Sequence, residues 1–384
     1  MAKTILGIDI GHDTLKLALV NGSQIKQTVS IPMSNSVVRD GVITAPEMFG
    51  DLLRTILKDN GIKCDGASFA LSDSSVFTRN VTSPKMSEKQ LLVNIPYEFK
   101  DYITSDLKDY VFDYAMITQP QNNDNAKEKN QGKEKKQKKE KAKKGENAQV
   151  AENPQEAEQT SETENNQVLD NTTSYDLTDT MQYLAVAAPV SLLDNLRVVC
   201  KKAGIRFLGA APDICCYISL IRNMKDQNRP ASGEYCILDL GYKEVRMHMF
   251  KNDVNIATRV LDFGMAVIDD VISGLYEIDN KTAHTYLLTN RDSCQQNDQC
   301  LSEYNNMAVE LMRAINFYNF SNPDSQLSDI WLCGGGTVIP ALESAVESNL
   351  DLQIHKAHEL VGSQIKDCES YVEAIGAAMI LSGR

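Results

Sequence analysis

The 384-residue sequence lacks several features that would place it in familiar classes of protein. It has no uninterrupted apolar run near the roughly 18 residues that a membrane-spanning helix needs. Its N-terminal apolar stretch contains Asp9, which is typical of a core strand rather than of a signal peptide. Its nine cysteines include no C-x-x-C pair and lie mostly in apolar segments, so we expect reduced core thiols. These absences predict a soluble cytoplasmic protein.

Positive charge is also scarce, because 39 lysines and arginines face 52 aspartates and glutamates, for a net charge of −13. An acidic chain is repelled by a phosphate backbone, so we expect no nucleic-acid partner. Many of the lysines are concentrated in residues 121–167, where a lysine block precedes a glutamate-rich block and apolar residues are nearly absent. Such a stretch cannot bury enough surface to offset its chain entropy, and we expect a disordered insertion at a hairpin tip. The lysine block would alternatively contact anionic lipid.

Elsewhere the pattern indicates an α/β protein of two domains. Apolar residues at helical spacing predict helices over residues 45–61, 191–204 and 303–320, and ASFALS predicts a buried strand. The predicted core face of the first helix comprises Met48, Phe49, Leu52, Leu53, Ile56 and Leu57.

Two stretches, ILGIDIGHDTLKLALVNG and CILDLGYKEVRMHMFKN, resemble each other although Asp9 and Asp239 are 230 positions apart. The aligned pairs are Asp9 and Asp239, Gly11 and Gly241, Leu15 and Val245, and Lys16 and Arg246. Each stretch predicts a strand, a turn at a glycine and a second strand that returns alongside the first. Two related hairpins in register predict a duplicated α/β domain with a cleft between the halves.

A third segment, DIWLCGGGTVIPALESAV, reads as a strand, three glycines and a helix that begins near Pro340. The glycines allow the backbone to approach a ligand closely, and the N-terminus of the following helix favours negative charge.

Together the three segments resemble the phosphate-1, phosphate-2 and adenosine segments of the actin, Hsp70 and FtsA type of ATPase. The resemblance implies an α/β fold with two ribonuclease-H-like domains that flank a nucleotide cleft. It also implies a site for ATP with Mg²⁺, in which Asp9 and Asp239 hold the metal through water. The nucleotide-binding residues that it implies are Asp9, Gly11, Thr14, Lys16, Asp239, Gly241, Lys243, Gly334, Gly335, Gly336 and Thr337.

The rest of the chain is similar to the type IV pilus assembly protein PilM family. SPKMSEKQLLVNIPYEFKDYI resembles the family's inserted 1C subdomain, RVLDFGMAVIDDVI its R-x-I-x-x-G segment, and YVEAIGAAM its closing helix. Family resemblance implies a cytoplasmic scaffold of the inner-membrane platform of a type IV pilus, or of a related type II secretion system. Such a scaffold binds the cytoplasmic tail of a PilN-like membrane protein, which holds it at the inner face of the membrane, and it can also self-associate.

The resemblance also implies domain boundaries. The segments are 1–82 for the first half of domain I, 83–120 and 168–190 for the 1C-type subdomain, 121–167 for the charged insertion, 191–232 for the remainder of domain I, and 233–384 for domain II.

The two predicted phosphate turns depart from the ATPase pattern. His12 and Asp13 replace a hydroxyl and a small residue, and a carboxylate aimed at a polyphosphate would be repelled by roughly 1–4 kcal/mol at contact. In the second turn Tyr242, Lys243 and Glu244 replace small residues, although bulky side chains can turn outward from a hairpin.

A third departure lies in AHTYL, where His284 and Leu287 replace an acid and a lysine near the nucleoside. We find no Gln or Glu that is suited to position an attacking water. Three interpretations therefore stay open: ATP binding with little or no hydrolysis, a degenerate site kept for its shape, and a competent ATPase.

Two other functions also fit the superfamily, an FtsA-like division protein that polymerises at the membrane and a sugar-kinase or Hsp70-like phosphotransferase. The first would carry a C-terminal amphipathic helix, whereas this sequence ends at LSGR directly after the closing helix. That ending favours the PilM family.

Overall fold

The computed structural model describes residues 3–12, 14–33, 36–39, 41–117, 180–222, 229–361 and 368–382. Asp13 and the charged insertion 121–167 lie outside these residues. In the described part of the chain, no helix is long and apolar enough to cross a membrane.

The first of two five-stranded sheets has the strand order β10-β6-β1-β2-β3. Its strands are β1 (Thr4–Ile10), β2 (Thr14–Asn21), β3 (Gln24–Pro32), β6 (Gly66–Leu71) and β10 (Phe207–Pro212). Strands β1, β2 and β3 pair antiparallel, whereas β6 pairs parallel with both β1 and β10.

The second sheet repeats this arrangement with the order β13-β12-β11-β14-β15. Its strands are β11 (Glu234–Leu240), β12 (Val245–Lys251), β13 (Val254–Leu261), β14 (Asp329–Cys333) and β15 (Gln353–Lys356). Again three consecutive strands pair antiparallel and two more add in parallel. The duplication predicted from the two similar hairpins is therefore confirmed.

Two smaller sheets are inserted in the first half. A short hairpin pairs β4 (Val38–Arg39) with β5 (Val42–Ile43). A three-stranded sheet has the order β7-β9-β8, from β7 (Phe77–Pro84), β8 (Tyr110–Met116) and β9 (Thr180–Pro189). The predicted domain boundaries stay predictions, since neither sheet order nor burial tests them.

The helices lie between the strands. They are α1 (Pro46–Asp59), α2 (Glu88–Glu98), α3 (Val190–Ala203), α4 (Asp213–Ile221), α5 (Ala266–Tyr276), α6 (Asn280–Thr289), α7 (Asp298–Ser321), α8 (Pro340–Asn349), α9 (His358–Val361) and α10 (Val372–Ser382). Helices α1, α3 and α7 confirm the three predicted from apolar spacing. Met48 is a correction, because it is 58% exposed on α1 although it was assigned to the core face.

The C-terminal helix α10 packs in the first half of the molecule, against β1 and α4. Two glycines permit this close approach. A Cβ added at Gly7 would lie 1.7 Å from the carbonyl oxygen of Ala374, and one at Gly376 would lie 2.4 Å from that of Cys216. The closing helix is thereby pressed against the first sheet, and its N-terminal turn reaches the cleft.

Candidate functional site

The first hairpin places a carboxylate and an ammonium side by side at the end of β1. Asp9 lies opposite Lys16 in the antiparallel register, and Lys16 Nζ is 3.5 Å from Asp9 Oδ2. The amide of Gly11 donates to the carbonyl of Thr14 over 3.0 Å and closes the turn.

The second hairpin has the same register, with Asp239 opposite Arg246 and Leu240 opposite Val245. Its cation makes more contacts. Arg246 Nη1 is 3.4 Å from Asp213 Oδ2 and 3.9 Å from Asp239 Oδ2, while Nη2 donates to Ser72 Oγ over 2.9 Å and also contacts Glu244. Because Ser72 and Asp213 belong to the first half, the Arg246 guanidinium spans the cleft.

Both hairpins line one cavity of about 380 Å³. The first contributes Asp9, Ile10, Gly11, His12, Thr14 and Lys16, and the second contributes Asp239, Gly241, Tyr242, Glu244 and Arg246. The wall also includes the apolar side chains of Met265, Leu287, Leu288, Val338 and Ile339. One cavity with both charged and apolar lining residues, in the size range of small-molecule sites, is the principal candidate site.

The predicted nucleotide-binding residues divide into two groups by position. Seven line the cavity, namely Asp9, Gly11, Thr14, Lys16, Asp239, Gly241 and Gly335, and four do not, namely Lys243, Gly334, Gly336 and Thr337. Gly334 instead has a contact that explains it, since it has φ of +90° and a Cβ there would lie 2.2 Å from Asp239 Oδ1. The glycine turn therefore closes against the Asp239 carboxyl group.

In the second turn, the side chains of Lys243 and Tyr242 are placed differently relative to the cavity. Lys243 is exposed and does not line the cavity, as expected for a side chain that turns outward. Tyr242 lines it, and its ring meets that of His284 edge-on at 5.2 Å between centroids. His284 Nδ1 in turn lies 2.9 Å from Asp269 Oδ2. Tyr242 thus does not turn away from the cavity, and its ring packs against His284 of α6.

Asp213, at the start of α4, is a cavity residue that sequence reasoning missed. Its side chain is buried, and its Oδ1 has no hydrogen-bond partner among the described residues. Burial and the nearby Asp73 raise the pKa of Asp213 well above its ordinary value. The available signal was an acid directly after the strand FLGAAP, at the edge where parallel strands end.

Glu373, in the first turn of α10, is a second missed residue. It is buried at 5% exposure, lines the cavity, and accepts a hydrogen bond from the Tyr217 hydroxyl over 2.6 Å. Its signal was an acid within the apolar run YVEAIGAAMI, but a single such residue in a sequence does not indicate which cavity it reaches.

The pKa values of the two hairpin aspartates, Asp9 and Asp239, are both raised, but by different amounts. Burial raises the pKa of Asp9 to about 6, against an opposing effect of Lys16. Burial and the neighbouring Glu373 raise the pKa of Asp239 to about 7, against an opposing effect of Arg246. Both carboxyl groups thus titrate near neutral pH, which is a frequent property of functional sites.

Comparisons with known proteins place this fold and sequence in a family. A family model described as Type IV pilus assembly protein PilM matches residues 7–141 and 171–370. Among solved structures, one described as the PilM-PilN type IV pilus biogenesis complex is similar over 100% of both chains, at 17% identity and a TM-score of 0.68. Ethanolamine utilization protein EutJ from Carboxydothermus hydrogenoformans is similar over 99% of this chain and 89% of its own, at 12% identity and a TM-score of 0.51.

A comparison of the sequence with curated proteins found no match. The structural similarities confirm the predicted α/β fold of actin-like type. The family model covers most of the sequence, and its single internal gap, residues 142–170, begins within the charged insertion. The chain therefore belongs to the type IV pilus assembly protein PilM family.

Proposed function

We propose that this protein is an actin-like scaffold of the type IV pilus inner-membrane platform, with an ATP site in its cleft and a docking surface for a PilN-like tail. The observation that supports the ATP site best is the pair of Asp-x-Gly hairpins that face one cavity, each with a cation opposite its aspartate.

The cavity has groups suited to both ends of a nucleotide. Lys16 and Arg246 line the cavity and supply cations for the phosphates. The apolar wall described above is suited to a nucleobase. The carboxylate oxygens of Asp9 and Asp239 are the ligand type that Mg²⁺ prefers, so the site fits ATP with Mg²⁺. When bound, the metal would neutralise phosphate charge beside these carboxyl groups.

Hydrolysis needs a group that orients a water molecule, and Asp213 is the candidate acid in the cavity. Its Oδ2 is ion-paired with Arg246, which constrains the carboxyl group. We therefore expect slow turnover, well below the rate of a dedicated ATPase.

Titration calorimetry of the full chain with ATP and Mg²⁺ tests the ATP site. We expect micromolar binding that Asp9→Ala abolishes and that Asp51→Ala preserves, since Asp51 is exposed on α1 and pairs with Arg54. Absence of binding by the folded wild-type chain would show that the cleft is retained for its shape.

We assign the docking surface to the three-stranded sheet β7-β9-β8 and the helix α2. Helix α2 buries Leu91 and Ile95 on one side, yet Val93 and Tyr97, one turn apart, are 65% and 67% exposed. Residues four positions apart lie on the same face of a helix, and contiguous exposed apolar side chains mark interaction surfaces. One solved structure that this chain resembles is described as a PilM-PilN complex. A PilN-like tail bound at α2 would hold the protein at the inner face of the cytoplasmic membrane.

A labelled peptide from the cytoplasmic tail of the PilN-like protein tests this surface by fluorescence anisotropy. Tyr97→Asp should weaken binding at least tenfold, because it removes an aromatic anchor. Phe320→Asp is the matched control, since Phe320 is 84% exposed on α7. Equal effects of the two variants would refute docking at α2.

A further inference from the structure

We propose that Asp239, Cys333 and Glu373 form a binding site for a thiolate-preferring divalent cation such as Zn²⁺ at the floor of the cleft. One potential ligand atom from each residue lies within 4.8 Å of the others, and all three side chains are buried. Cys333 distinguishes this site from the Mg²⁺ role above, since a thiolate favours Zn²⁺ and Mg²⁺ takes oxygen ligands.

The three ligands come from elements that the fold fixes firmly. Asp239 is the next-to-last residue of strand β11, Cys333 ends the adjacent parallel strand β14, and Glu373 is in the first turn of α10. Asp239 and Cys333 are direct neighbours in the strand register. A site on two paired strands and a packed helix is held more precisely than a site on loops.

A second observation independently indicates a missing partner. Glu373 Oε2 is buried and has no hydrogen-bond partner in the described residues, whereas Oε1 accepts from Tyr217. The neighbouring positions of α10 are apolar, so nothing in the helix pattern requires an acid there. A buried carboxylate oxygen without a donor is costly unless a cation or a proton satisfies it.

The balance of charge around the cluster favours a cation. Two carboxyl groups and a thiol lie together, and two described cations act on them, Arg246, at 3.9 Å from Asp239 Oδ2, and Lys16, which is paired with Asp9. That guanidinium also contacts Asp213 and Glu244, so its charge is shared among three carboxyl groups. Because Lys16 and Arg246 are each paired with other carboxyl groups as well, a divalent ion would add positive charge at the cluster itself.

The geometry is within reach of tetrahedral zinc. Zinc bonds of about 2.0–2.3 Å separate ligand atoms by about 3.5 Å, so an inward movement of about 1 Å would complete the site. Because Asp239 and Glu373 both line the cavity, the fourth position would open toward it. The Tyr217 hydroxyl orients Glu373, as outer-shell donors do around metal ligands.

The test uses Co²⁺ as a spectroscopic substitute for Zn²⁺, added to the reduced full chain without nucleotide. We expect one equivalent to bind with a thiolate-to-cobalt charge-transfer band. Cys333→Ser should remove the band, and Glu373→Gln should weaken binding at least tenfold. Cys236→Ser should preserve both, since Cys236 is equally buried on β11 but lies outside the cluster.

Three outcomes would overturn the proposal: no Co²⁺ binding, which leaves protons to satisfy the cluster, binding without a charge-transfer band, or a band that survives Cys333→Ser. If Cys333→Ser does not fold, the Glu373→Gln comparison decides by itself. Because nucleotide is absent throughout, failure of the ATP site would not affect the result.

Discussion

The two hairpins share one plan and differ in how each uses its cation. In the first, the Asp9–Lys16 pair joins neighbouring strands of one sheet, with side chains that are 16% and 14% exposed. In the second, Arg246 is 9% exposed and reaches Ser72 and Asp213 across the cleft as well as Asp239 in its own sheet. The same backbone thus holds a local ion pair in one half and a cross-cleft connection in the other.

The comparison shows that the two duplicated hairpins keep the same backbone geometry although their side chains make different contacts. The register is identical because the turn at Gly11 or Gly241 and the apolar strand faces determine it. A guanidinium has a planar fork of donors and serves several acceptors at once, whereas an ammonium acts as a point charge. Arg246 therefore contacts both halves of the molecule directly, through Ser72, Asp213 and Asp239.

The largest expected effect comes from removing the two cations in turn. Arg246→Ala should lower the free energy of unfolding by about 3–5 kcal/mol, because it leaves buried carboxyl groups without their counter-ion. Lys16→Ala should cost about 2 kcal/mol or less, since its pair is more exposed. Urea denaturation measures both, with Arg313→Ala on the surface of α7 as a control. Equal losses would remove the distinction between the hairpins.

The next largest difference in stability is expected between alanine variants of the two turn glycines, Gly241 and Gly11. A Cβ at Gly241 would lie 2.5 Å from the carbonyl oxygen of Glu244, whereas one at Gly11 would lie 3.0 Å from that of Thr14. We expect Gly241→Ala to destabilise the protein by about 2 kcal/mol and Gly11→Ala by about 1 kcal/mol or less. Thermal unfolding of the two variants checks the order, and the reverse order would contradict the steric argument.

The aspartates predict a pH dependence of stability. The folded pKa of Asp239, about 7, lies above the ordinary value of 3.8, so the folded state binds the proton more tightly than the unfolded state. Its contribution to stability is therefore complete below pH 4 and is lost as pH rises toward 7, at no more than about 1.4 kcal/mol per pH unit. Asp239→Asn should flatten this decline between pH 5 and 7.

Asp9→Asn should have the same effect to a smaller extent, because the folded pKa of Asp9 is about 6. Urea midpoints at several pH values provide the comparison. A steeper decline in Asp239→Asn than in the wild-type chain would contradict the sign of the shift.

The smallest expected effect is a difference in ATP affinity between variants of Lys16 and Lys243, which the sequence analysis assigned to the same nucleotide site. Lys16→Ala should weaken ATP binding about tenfold, since Lys16 lines the cavity. Lys243→Ala should change it less than about twofold, because that side chain is exposed and does not line the cavity. Calorimetry of both variants measures the difference, and a larger effect of Lys243→Ala would move the phosphate site to the second turn.

Much of this fold could be predicted from the sequence because its signals are local. The duplication of the hairpins followed from two similar stretches, and the helices α1, α3 and α7 followed from apolar spacing. The wrong assignment was Met48, which stands beside Phe49 at the margin of the α1 apolar stripe, where spacing alone does not determine burial.

The cleft was less predictable because distant elements complete it. Asp213 and Glu373 reach the hairpins only after α4 and α10 pack against the first sheet, so an acid after FLGAAP or within YVEAIGAAMI does not by itself indicate which cavity it lines. Arg246 was recognised as the partner of Lys16 in the repeat, but its contacts to Ser72 and Asp213 depend on how the two sheets are brought together.

Hydrogen exchange of the full chain, with and without ATP and Mg²⁺, tests most directly whether both hairpins serve one nucleotide. We predict slower exchange on binding in residues 10–15 and 240–245 together, and no change in β15 at the far edge of the second sheet. Protection of one hairpin alone, or binding without protection of either, would contradict the account.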